Sequence, residues 1–363
     1  MLATAGPDIS QKEIDYVNDA VKNGWGAHCY DYVNKFEQEF AKYIGVKYAI
    51  ATSGGTCAIE LGAMVLGFNK GDEIIMPDMG YFAASDVISL SGAIPIFVDI
   101  LPDTWNIDPE AVKKAITKRT KAILPIDSYG MPIESSELNE IAHKYNLTIL
   151  EDACPAAGSE YNGNKVGSLH DVVAFSFQGA KIMTTGIGGM LVTNNERYYK
   201  LAKLYNDHGE GSIIDKKYKF WQLFQGREMW MSNLQAALGC AQLERIDEFI
   251  EKHRKIYYWY KERLFGNERI KLLQERPYVK WNAWMVSITL EKGQNRQEIM
   301  DNLRDNGIDS RPTFYPISMF KMYDEANTPI SHHVGLNGIN LPSKVNLTEE
   351  DIDYVCKTLQ EFI

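Results

Sequence analysis

Hydrophobic residues along this chain form short apolar runs that alternate with longer stretches of helical spacing. The short runs predict buried strands, and the longer stretches predict amphipathic helices. Strands are predicted at residues 48–52, 73–76, 94–100, 121–126 and 147–151, and helices at residues 57–66, 82–90, 109–116 and 135–145. Strands that alternate with helices at this spacing indicate a mostly parallel sheet with helices on both faces. The predicted fold class is therefore α/β.

Both ends of the chain carry further helical patterns. Residues 10–23 and 32–43 have helical spacing, with Ser10 as the predicted N-cap of the first helix. A long helix is predicted from residue 233 to about residue 264, and it is followed by a strand at 285–290 and helices at 296–306 and 348–362. We therefore expect a large domain, residues 1–245, and a small α+β domain, residues 246–363.

Composition and charge narrow the class of protein. A chain of 363 residues with 45% hydrophobic content is long enough for two packed domains. The net charge of −10, with no basic block, argues against a protein that binds nucleic acid or an anionic membrane. The five cysteines are scattered and form no C-x-x-C pair, so we expect reduced thiols and no metal site. Neither a secretory leader nor a membrane-spanning run is evident, and a soluble cytoplasmic protein is expected.

A single lysine, Lys181, stands between two predicted strands, residues 171–177 and 190–193, and is followed by a glycine-rich turn. A lysine held at the end of a buried strand is partly desolvated. This lowers its pKa and makes the neutral amine available to a carbonyl, which is Schiff-base chemistry. An arbitrary lysine more often packs its stem on the sheet and keeps its head in water. The neighbouring segments must decide between these interpretations.

A second predicted strand ends on two carboxylates, Glu151 and Asp152. Side chains alternate along a strand, so only one of the two acids can face a ligand at its carboxyl end. We predict that Asp152 faces the ligand, where a carboxylate could hold a proton on a pyridine nitrogen. A helix cap or a surface acid is an equally good interpretation of this segment alone.

The turn Ser-Gly-Gly-Thr at residues 53–56 joins a predicted strand to a predicted helix. The backbone amides at Gly55 and the hydroxyl of Thr56 then lie at a helix N-terminus, where the helix dipole favours a phosphate. Most turns of this composition only reverse the chain, but a position before the first crossover helix of an α/β unit favours a phosphate site.

Three of these segments together resemble one protein family. They are SFQGAKIMTTGIGG around Lys181, ILEDA around Asp152, and SGGTCAIELG around Gly55 and Thr56. They are similar to the motifs of the DegT/DnrJ/StrS sugar aminotransferases, which are fold-type I enzymes that depend on pyridoxal 5'-phosphate. The similarity covers nearly the whole chain, from FEQEFAKYIGVKYAIATSGGT to INLPSKVNLTEEDIDYV.

The resemblance implies a role for each matching residue. Lys181 would hold the cofactor and shuttle a proton, and Asp152 would keep the ring nitrogen protonated. A tyrosine at position 81 would stack on the ring, although an ordinary core aromatic is the alternative. Ser176 would bind the phosphate, unless its hydroxyl bonds to its own backbone. The residues expected to bind the cofactor are Gly55, Thr56, Tyr81, Asp152, Ser176 and Lys181.

The resemblance also implies a substrate class and an assembly. The expected reaction moves an amino group from L-glutamate to a keto sugar, most often one linked to a nucleotide, to make an amino sugar of a surface polysaccharide such as lipopolysaccharide. The expected assembly is a homodimer with shared active sites. The rival substrate is a sugar without a nucleotide, such as a keto-octulosonate or a cyclitol. A sugar dehydratase and a non-catalytic sensor are disfavoured because the dehydratases carry histidine at the position of Lys181 and because Asp152 is also present.

Four positions depart from the pattern of the family. Pro155 stands where a side chain that hydrogen-bonds the 3-hydroxyl of the cofactor is common, Ile187 replaces glutamate, and Asp127 replaces histidine. In the segment GREMWMS, residues 226–232, Glu228 replaces an asparagine expected to reach the phosphate across the dimer interface. These departures leave the chemistry of Lys181 intact and bear on the substrate pocket and the contacts between subunits.

Overall fold

The structure is a computed structural model that describes residues 1–291 and 293–363. The helices are α1 Gln11–Asn23, α2 Asp31–Ile44, α3 Gly55–Leu66, α4 Ala83–Leu90, α5 Pro109–Ala115, α6 Ser135–Tyr145, α7 Glu196–Tyr205, α8 Asn233–Leu243, α9 Ile246–Leu264, α10 Arg296–Asp305, α11 Pro329–Asn337 and α12 Glu349–Phe362. The strands are β1 Tyr48–Thr52, β2 Glu73–Pro77, β3 Ile94–Val98, β4 Thr120–Ile123, β5 Thr148–Asp152, β6 Glu160–Tyr161, β7 Asn164–Lys165, β8 Val172–Ser176, β9 Gly189–Thr193, β10 Ile270–Leu272, β11 Val279–Lys280, β12 Ser287–Leu290, β13 Arg311–Pro312 and β14 Gly338–Asn340.

The main sheet has seven strands within residues 1–291 and 293–363, in the order β1-β9-β8-β5-β4-β2-β3. Neighbours from β8 to β3 pair in parallel, whereas β9 runs antiparallel to both β1 and β8. Helices cover the sheet on both sides, because its central strands are apolar on both faces. The predicted α/β class with a mostly parallel mixed sheet is confirmed.

The core packs tightly on both faces of the main sheet. On one face, Phe175 of β8 lies with its ring centroid 5.2 Å from that of Phe40 of α2. On the other face, α3 approaches so closely that a Cβ added at Gly62 would lie 2.5 Å from Leu150 Cδ1 of β5. This packing fixes the N-terminal end of α3 relative to the carboxyl ends of β5 and β8.

The predicted helix from residue 233 to residue 264 is wrong as a single element, since the chain forms α8 and α9 with a break between them. Arg245, at the break, binds Glu13 at 3.0 Å and Asp8 at 3.1 Å, and Glu244 accepts from Lys12 at 2.8 Å. The break therefore anchors α1 and the residues before it. The other predicted helix bounds agree with the structure within two residues, and Ser10 caps α1 through a capping box.

A second sheet contains β10, β12, β14 and β13 in that order, and all of its pairs are antiparallel. It belongs to the C-terminal part of the chain, where α9, α10 and α12 lie. A third sheet joins β11 to β6 and β7, so residues on both sides of the predicted domain boundary share hydrogen bonds. The division at residue 245 stays a prediction. Every helix in the described part of the chain is too short or too polar to cross a bilayer.

Candidate active site

A cavity of about 460 Å³ opens at the carboxyl edge of the main sheet. Its walls are the turns that follow β1, β2, β4, β5 and β8, together with segments of the C-terminal part of the chain. The six residues predicted to bind a cofactor all line it: Gly55, Thr56, Tyr81, Asp152, Ser176 and Lys181. Parallel strands place their carboxyl ends at one edge, which explains why residues distant in sequence meet here.

Lys181 lies in a turn beyond β8 and is partly buried at the wall of the cavity. Its backbone N–H donates to Gln178 O at 2.8 Å, and Nζ lies 3.9 Å from the ring centroid of Trp284. Burial lowers the pKa of Lys181, and electrostatic interactions with Cys154 and Asp152 only partly oppose this shift. The amine is thus held in place and loses its proton more readily than an exposed lysine.

Asp152 ends β5 and is 5% exposed. Its Oδ1 accepts from the backbone N–H of Cys154 at 3.1 Å. Burial raises the pKa of Asp152, and the Lys181 charge lowers it less than burial raises it. The neighbouring Glu151 points away from the cavity and lies 3.0 Å from His170 Nδ1. Strand alternation therefore separates the two acids, and Asp152 is the one at the cavity.

The N-terminal end of α3 forms another wall. The helix begins at Gly55, and no side chain in the described residues caps it. A Cβ added at Gly55 would lie 2.7 Å from Ser176 Cβ, so glycine is required for the helix end to approach β8 this closely. Thr56 and Ser176 add hydroxyls to the uncapped amides. Together they form a site suited to an anionic group.

Aromatic residues form the remaining wall. Tyr81 is 52% exposed, and its ring centroid lies 4.3 Å from that of Phe82 and 6.1 Å from that of Phe314. An exposed fraction this large excludes an ordinary core position for Tyr81. Phe314 also stacks on Tyr129 with centroids 5.2 Å apart, and Tyr129 in turn stacks on Trp284 at 6.3 Å.

The sequence did not single out Trp284 for the wall of the cavity. Trp284 Nε1 donates to Ala180 O at 2.5 Å, which ties the C-terminal part of the chain to the turn that carries Lys181. The preceding residue, Ala283, adopts a positive φ of 54°, an uncommon conformation for a residue with a side chain. No local pattern in the sequence marks this contact, since it depends on how distant segments pack.

The departures from the family pattern lie around the same cavity. Pro155 and Ile187 line it, and Ile187 is 63% exposed. Asp127 is fully buried, and burial followed by the charge of Glu151 raises its pKa well above the usual range. Asp127 Oδ1 accepts from the backbone N–H of Ile133 at 2.9 Å, and Asp127 is not among the residues that line the cavity.

The segment GREMWMS, residues 226–232, lies beside the turn before α3. Met229 O accepts from Ser53 N at 2.7 Å. In the single chain, Arg227 pairs with Glu60 at 2.6 Å. Glu228 Oε2 lies 3.7 Å from His208 Nε2.

Comparisons with known proteins identify the family of this chain. The model of the DegT/DnrJ/EryC1/StrS aminotransferase family matches residues 7–360. The chain is 38% identical to a GDP-perosamine synthase of Escherichia coli O157:H7, covering 98% of this chain and 97% of that protein. It is 36% identical to a GDP-perosamine synthase of Caulobacter vibrioides, covering 100% and 98%. The structure of Spr1654 from Streptococcus pneumoniae in its PMP form matches with a TM-score of 0.92 at 27% identity, over 99% of this chain and 96% of that one.

The fold and the site define the class: a fold-type I enzyme that uses pyridoxal phosphate. The chain belongs to the DegT/DnrJ/EryC1/StrS aminotransferase family and is a pyridoxal phosphate-dependent sugar aminotransferase. The predicted family and cofactor are confirmed. The residues present also fit the cofactor, because an uncapped helix end suits its phosphate and the buried Asp152 carboxylate needs a cation such as a protonated ring nitrogen.

Proposed function

We propose that this enzyme transfers the amino group of L-glutamate to the keto group of a sugar linked to a nucleoside diphosphate, and so makes a nucleotide-linked amino sugar. The observation that carries the proposal is the meeting of Lys181, Asp152 and the N-terminal end of α3 at one cavity. Identity above one third to two GDP-perosamine synthases over nearly the whole chain supports a GDP-linked sugar as acceptor and an amino sugar of a surface polysaccharide as the eventual product.

Each residue of the site has a distinct role in this proposal. Pyridoxal phosphate, when bound, supplies an aldehyde that accepts the donor amine and a ring that withdraws electrons. Lys181 Nζ holds the cofactor and then carries a proton between the substrate carbon and the cofactor. Its lowered pKa provides the neutral amine that both tasks need. The ring of Trp284 holds Lys181 Nζ at the cavity when this amine is not bonded to the cofactor.

Asp152 stabilises the positive charge on the ring nitrogen. The Asp152 carboxylate is buried, and its raised pKa shows that the protein supplies too little positive charge to compensate it. A protonated ring nitrogen supplies that charge and restores the ionised form. The amides at the start of α3, with Thr56 and Ser176, bind the phosphate, and Tyr81 stacks on the ring.

We further propose a homodimer in which each cavity is completed by the partner subunit. Large apolar side chains remain exposed in one connection of the single chain, where Phe220 is 88%, Trp221 64% and Ile214 63% exposed. A soluble monomer rarely exposes such a cluster. The cluster precedes GREMWMS, which lies beside the start of α3. A fully active monomer in analytical ultracentrifugation would contradict the shared site.

The enzyme is proposed to work in the cytoplasm. All five cysteines of the chain are free in the structure. Free thiols persist in the reducing cytoplasm, whereas an oxidising compartment would modify them.

A sugar without a nucleotide is the second candidate acceptor. Among the described residues that line the cavity, the basic side chains are Lys181 and Arg311 alone, and Arg311 Nη2 lies 3.5 Å from Asp309 Oδ2. A diphosphate favours more positive charge than one arginine provides. In the proposed dimer, the partner subunit supplies the missing groups.

A single-turnover experiment separates the two candidates. The enzyme is treated with L-glutamate, freed of excess donor, and mixed with keto sugars linked to GDP, linked to other nucleotides, or free. Return of the original cofactor absorbance identifies the acceptor. If the absorbance returns only with the GDP-linked sugar, the proposal is supported. If it returns only with the free sugar, a sugar without a nucleotide is the acceptor.

A further inference from the structure

One buried hydroxyl at the cavity has no partner. Ser128 lies in the turn after β4, lines the cavity and is 2% exposed. Its backbone N–H donates to Asn106 Oδ1 at 2.9 Å, but its Oγ makes no hydrogen bond within the described residues. A buried polar atom without a partner is rare in a native protein and costs stability. A ligand that accepts a hydrogen bond would remove this cost.

The order of the strands places Ser128 on a defined side of the cofactor. Ser176, Asp152 and Ser128 stand at or just beyond the carboxyl ends of three adjacent strands, β8, β5 and β4. The phosphate site lies with Ser176 and the start of α3. In pyridoxal phosphate, the phosphate arm and the ring oxygen flank the axis through the ring nitrogen on opposite sides. With the nitrogen at Asp152 and the phosphate towards β8, the ring oxygen lies towards β4.

The polar groups of Pro155 and Asn282, which lie next to this part of the cavity wall, are already engaged. Pro155 has no side-chain donor, and its carbonyl accepts from Asn282 Nδ2 at 2.9 Å. Asn282 Nδ2 also donates to Ala157 O at 3.1 Å, and Asn282 Oδ1 accepts from Trp284 N at 3.0 Å. The Asn282 side-chain amide is therefore fully occupied by hydrogen bonds to the backbone of the cavity wall. Ser128 Oγ is the uncommitted hydroxyl on this side among the described residues.

We propose that Ser128 Oγ donates a hydrogen bond to the ring oxygen of pyridoxal phosphate and takes over the contact that Pro155 lacks. This inference rests on the cofactor orientation given under the proposed function, with Asp152 at the ring nitrogen. The hydrogen bond stabilises the ionised ring oxygen and fixes the edge of the ring opposite the phosphate. Ser128 is thus a cofactor-binding residue on the edge of the ring where this chain departs from its family.

The test measures binding of two cofactors that differ only in this oxygen. Pyridoxal 5'-phosphate and its 3-deoxy analogue are titrated against Lys181→Ala and against Lys181→Ala/Ser128→Ala by equilibrium dialysis, since the Lys181→Ala background keeps binding reversible. Loss of Ser128 is expected to weaken pyridoxal phosphate about 10- to 100-fold, as for a hydrogen bond to a charged group, and to leave the analogue unchanged. In otherwise unmodified enzyme, Ser128→Ala should also raise the pH midpoint of the absorbance change of the bound cofactor.

Matched controls keep the inference falsifiable. Ser135, a buried serine outside the cavity, is replaced in the same background, and Ser135→Ala should leave both affinities unchanged. Cofactor-free Ser128→Ala protein should unfold at the same temperature as the wild type or higher, because an unpaired hydroxyl is removed. Equal weakening of both cofactors, or of neither, would overturn the inference, as would a lower unfolding temperature. Failure of Lys181→Ala alone to bind either cofactor would instead contradict the proposed cofactor site.

Discussion

Three features of its surroundings determine the protonation of Lys181. The surrounding protein removes water from Nζ, Trp284 presents its ring face at 3.9 Å, and Asp152 supplies a nearby negative charge. Desolvation favours the neutral amine, whereas the ring and the carboxylate favour the ammonium form. Since the pKa is lowered, desolvation is the largest of these effects. The balance yields an amine that gives up its proton more readily than an exposed lysine does.

Lys181→Ala should abolish turnover and the covalent link between enzyme and cofactor, because no other amine lies at the cavity among the described residues. Borohydride reduction followed by peptide mass spectrometry detects the link. Lys165→Ala is a matched control, since Lys165 Nζ also lies over an aromatic ring, 4.3 Å from the centroid of Tyr43, but outside the cavity. Turnover retained by Lys181→Ala would remove this lysine from the mechanism.

Asp152→Asn should still bind the cofactor but turn over roughly a hundredfold more slowly, the size expected for losing one preorganised electrostatic partner. The amide keeps the shape of the side chain and lacks the charge that stabilises a protonated ring nitrogen. Steady-state kinetics at saturating cofactor measure the loss, and the absorbance of bound cofactor verifies occupancy. Unchanged turnover would show that Asp152 is not the acid that stabilises the protonated ring nitrogen.

At the residue scale, strand alternation alone predicted that only one of Glu151 and Asp152 faces the cavity. The structure places Asp152 at the cavity and Glu151 beside His170. The sequence pattern does not predict that Trp284 and Ser128 lie at the cavity. Their positions depend on Ala283 and Tyr129, which both adopt positive φ values, and on packing between distant segments. Gly130 and Pro132 mark a turn near Ser128, but neither Tyr129 nor Ala283 is a residue type that predicts a positive φ at its own position.

At the scale of elements, local signals predicted helix starts better than the break between α8 and α9. Ser232 caps α8 through a capping box with Gln235, a pattern readable from the sequence. The break at Glu244 and Arg245 contains neither glycine nor proline, so helical spacing runs through it. Ion pairs with α1 and the segment before it stabilise the interruption, and such contacts are invisible to periodicity.

The buried His253 of α9 gives this element a pH-dependent stability. Burial lowers the pKa of His253 to about 4, whereas an unfolded histidine titrates near 6.5. Between these values the unfolded chain binds more protons, so the free energy of unfolding falls as the pH drops from about 6.5 towards 4.

His253→Leu should flatten this acid dependence by at most about 1.4 kcal/mol per pH unit inside that window. Chemical denaturation measures the free energy of unfolding of the wild type and the variant between pH 7 and pH 4, at steps of roughly half a pH unit. The slope of that free energy against pH is then compared between the two proteins. Parallel slopes would show that His253 titrates normally in the folded protein.

At the scale of the whole molecule, the alternation of strands and helices sufficed to predict a parallel sheet with its site at the carboxyl edge. It did not predict the strand order, which sets β8, β5 and β4 side by side and so brings Ser176, Asp152 and Ser128 to one edge of the sheet. Nor did it give the small sheet of β11, β6 and β7 that connects the two parts of the chain. Both features depend on pairings between residues far apart in sequence.

The central claim is that this cavity moves nitrogen from an amino acid to a nucleotide-linked sugar. The most direct measurement is transfer of label from L-[¹⁵N]glutamate to a GDP-linked keto sugar, followed by mass spectrometry of the sugar nucleotide. The account predicts a labelled GDP-linked amino sugar with wild-type enzyme and none with Lys181→Ala. Labelled nitrogen that stays in glutamate, while the cofactor is bound and the GDP-linked keto sugar is present in excess, would contradict it.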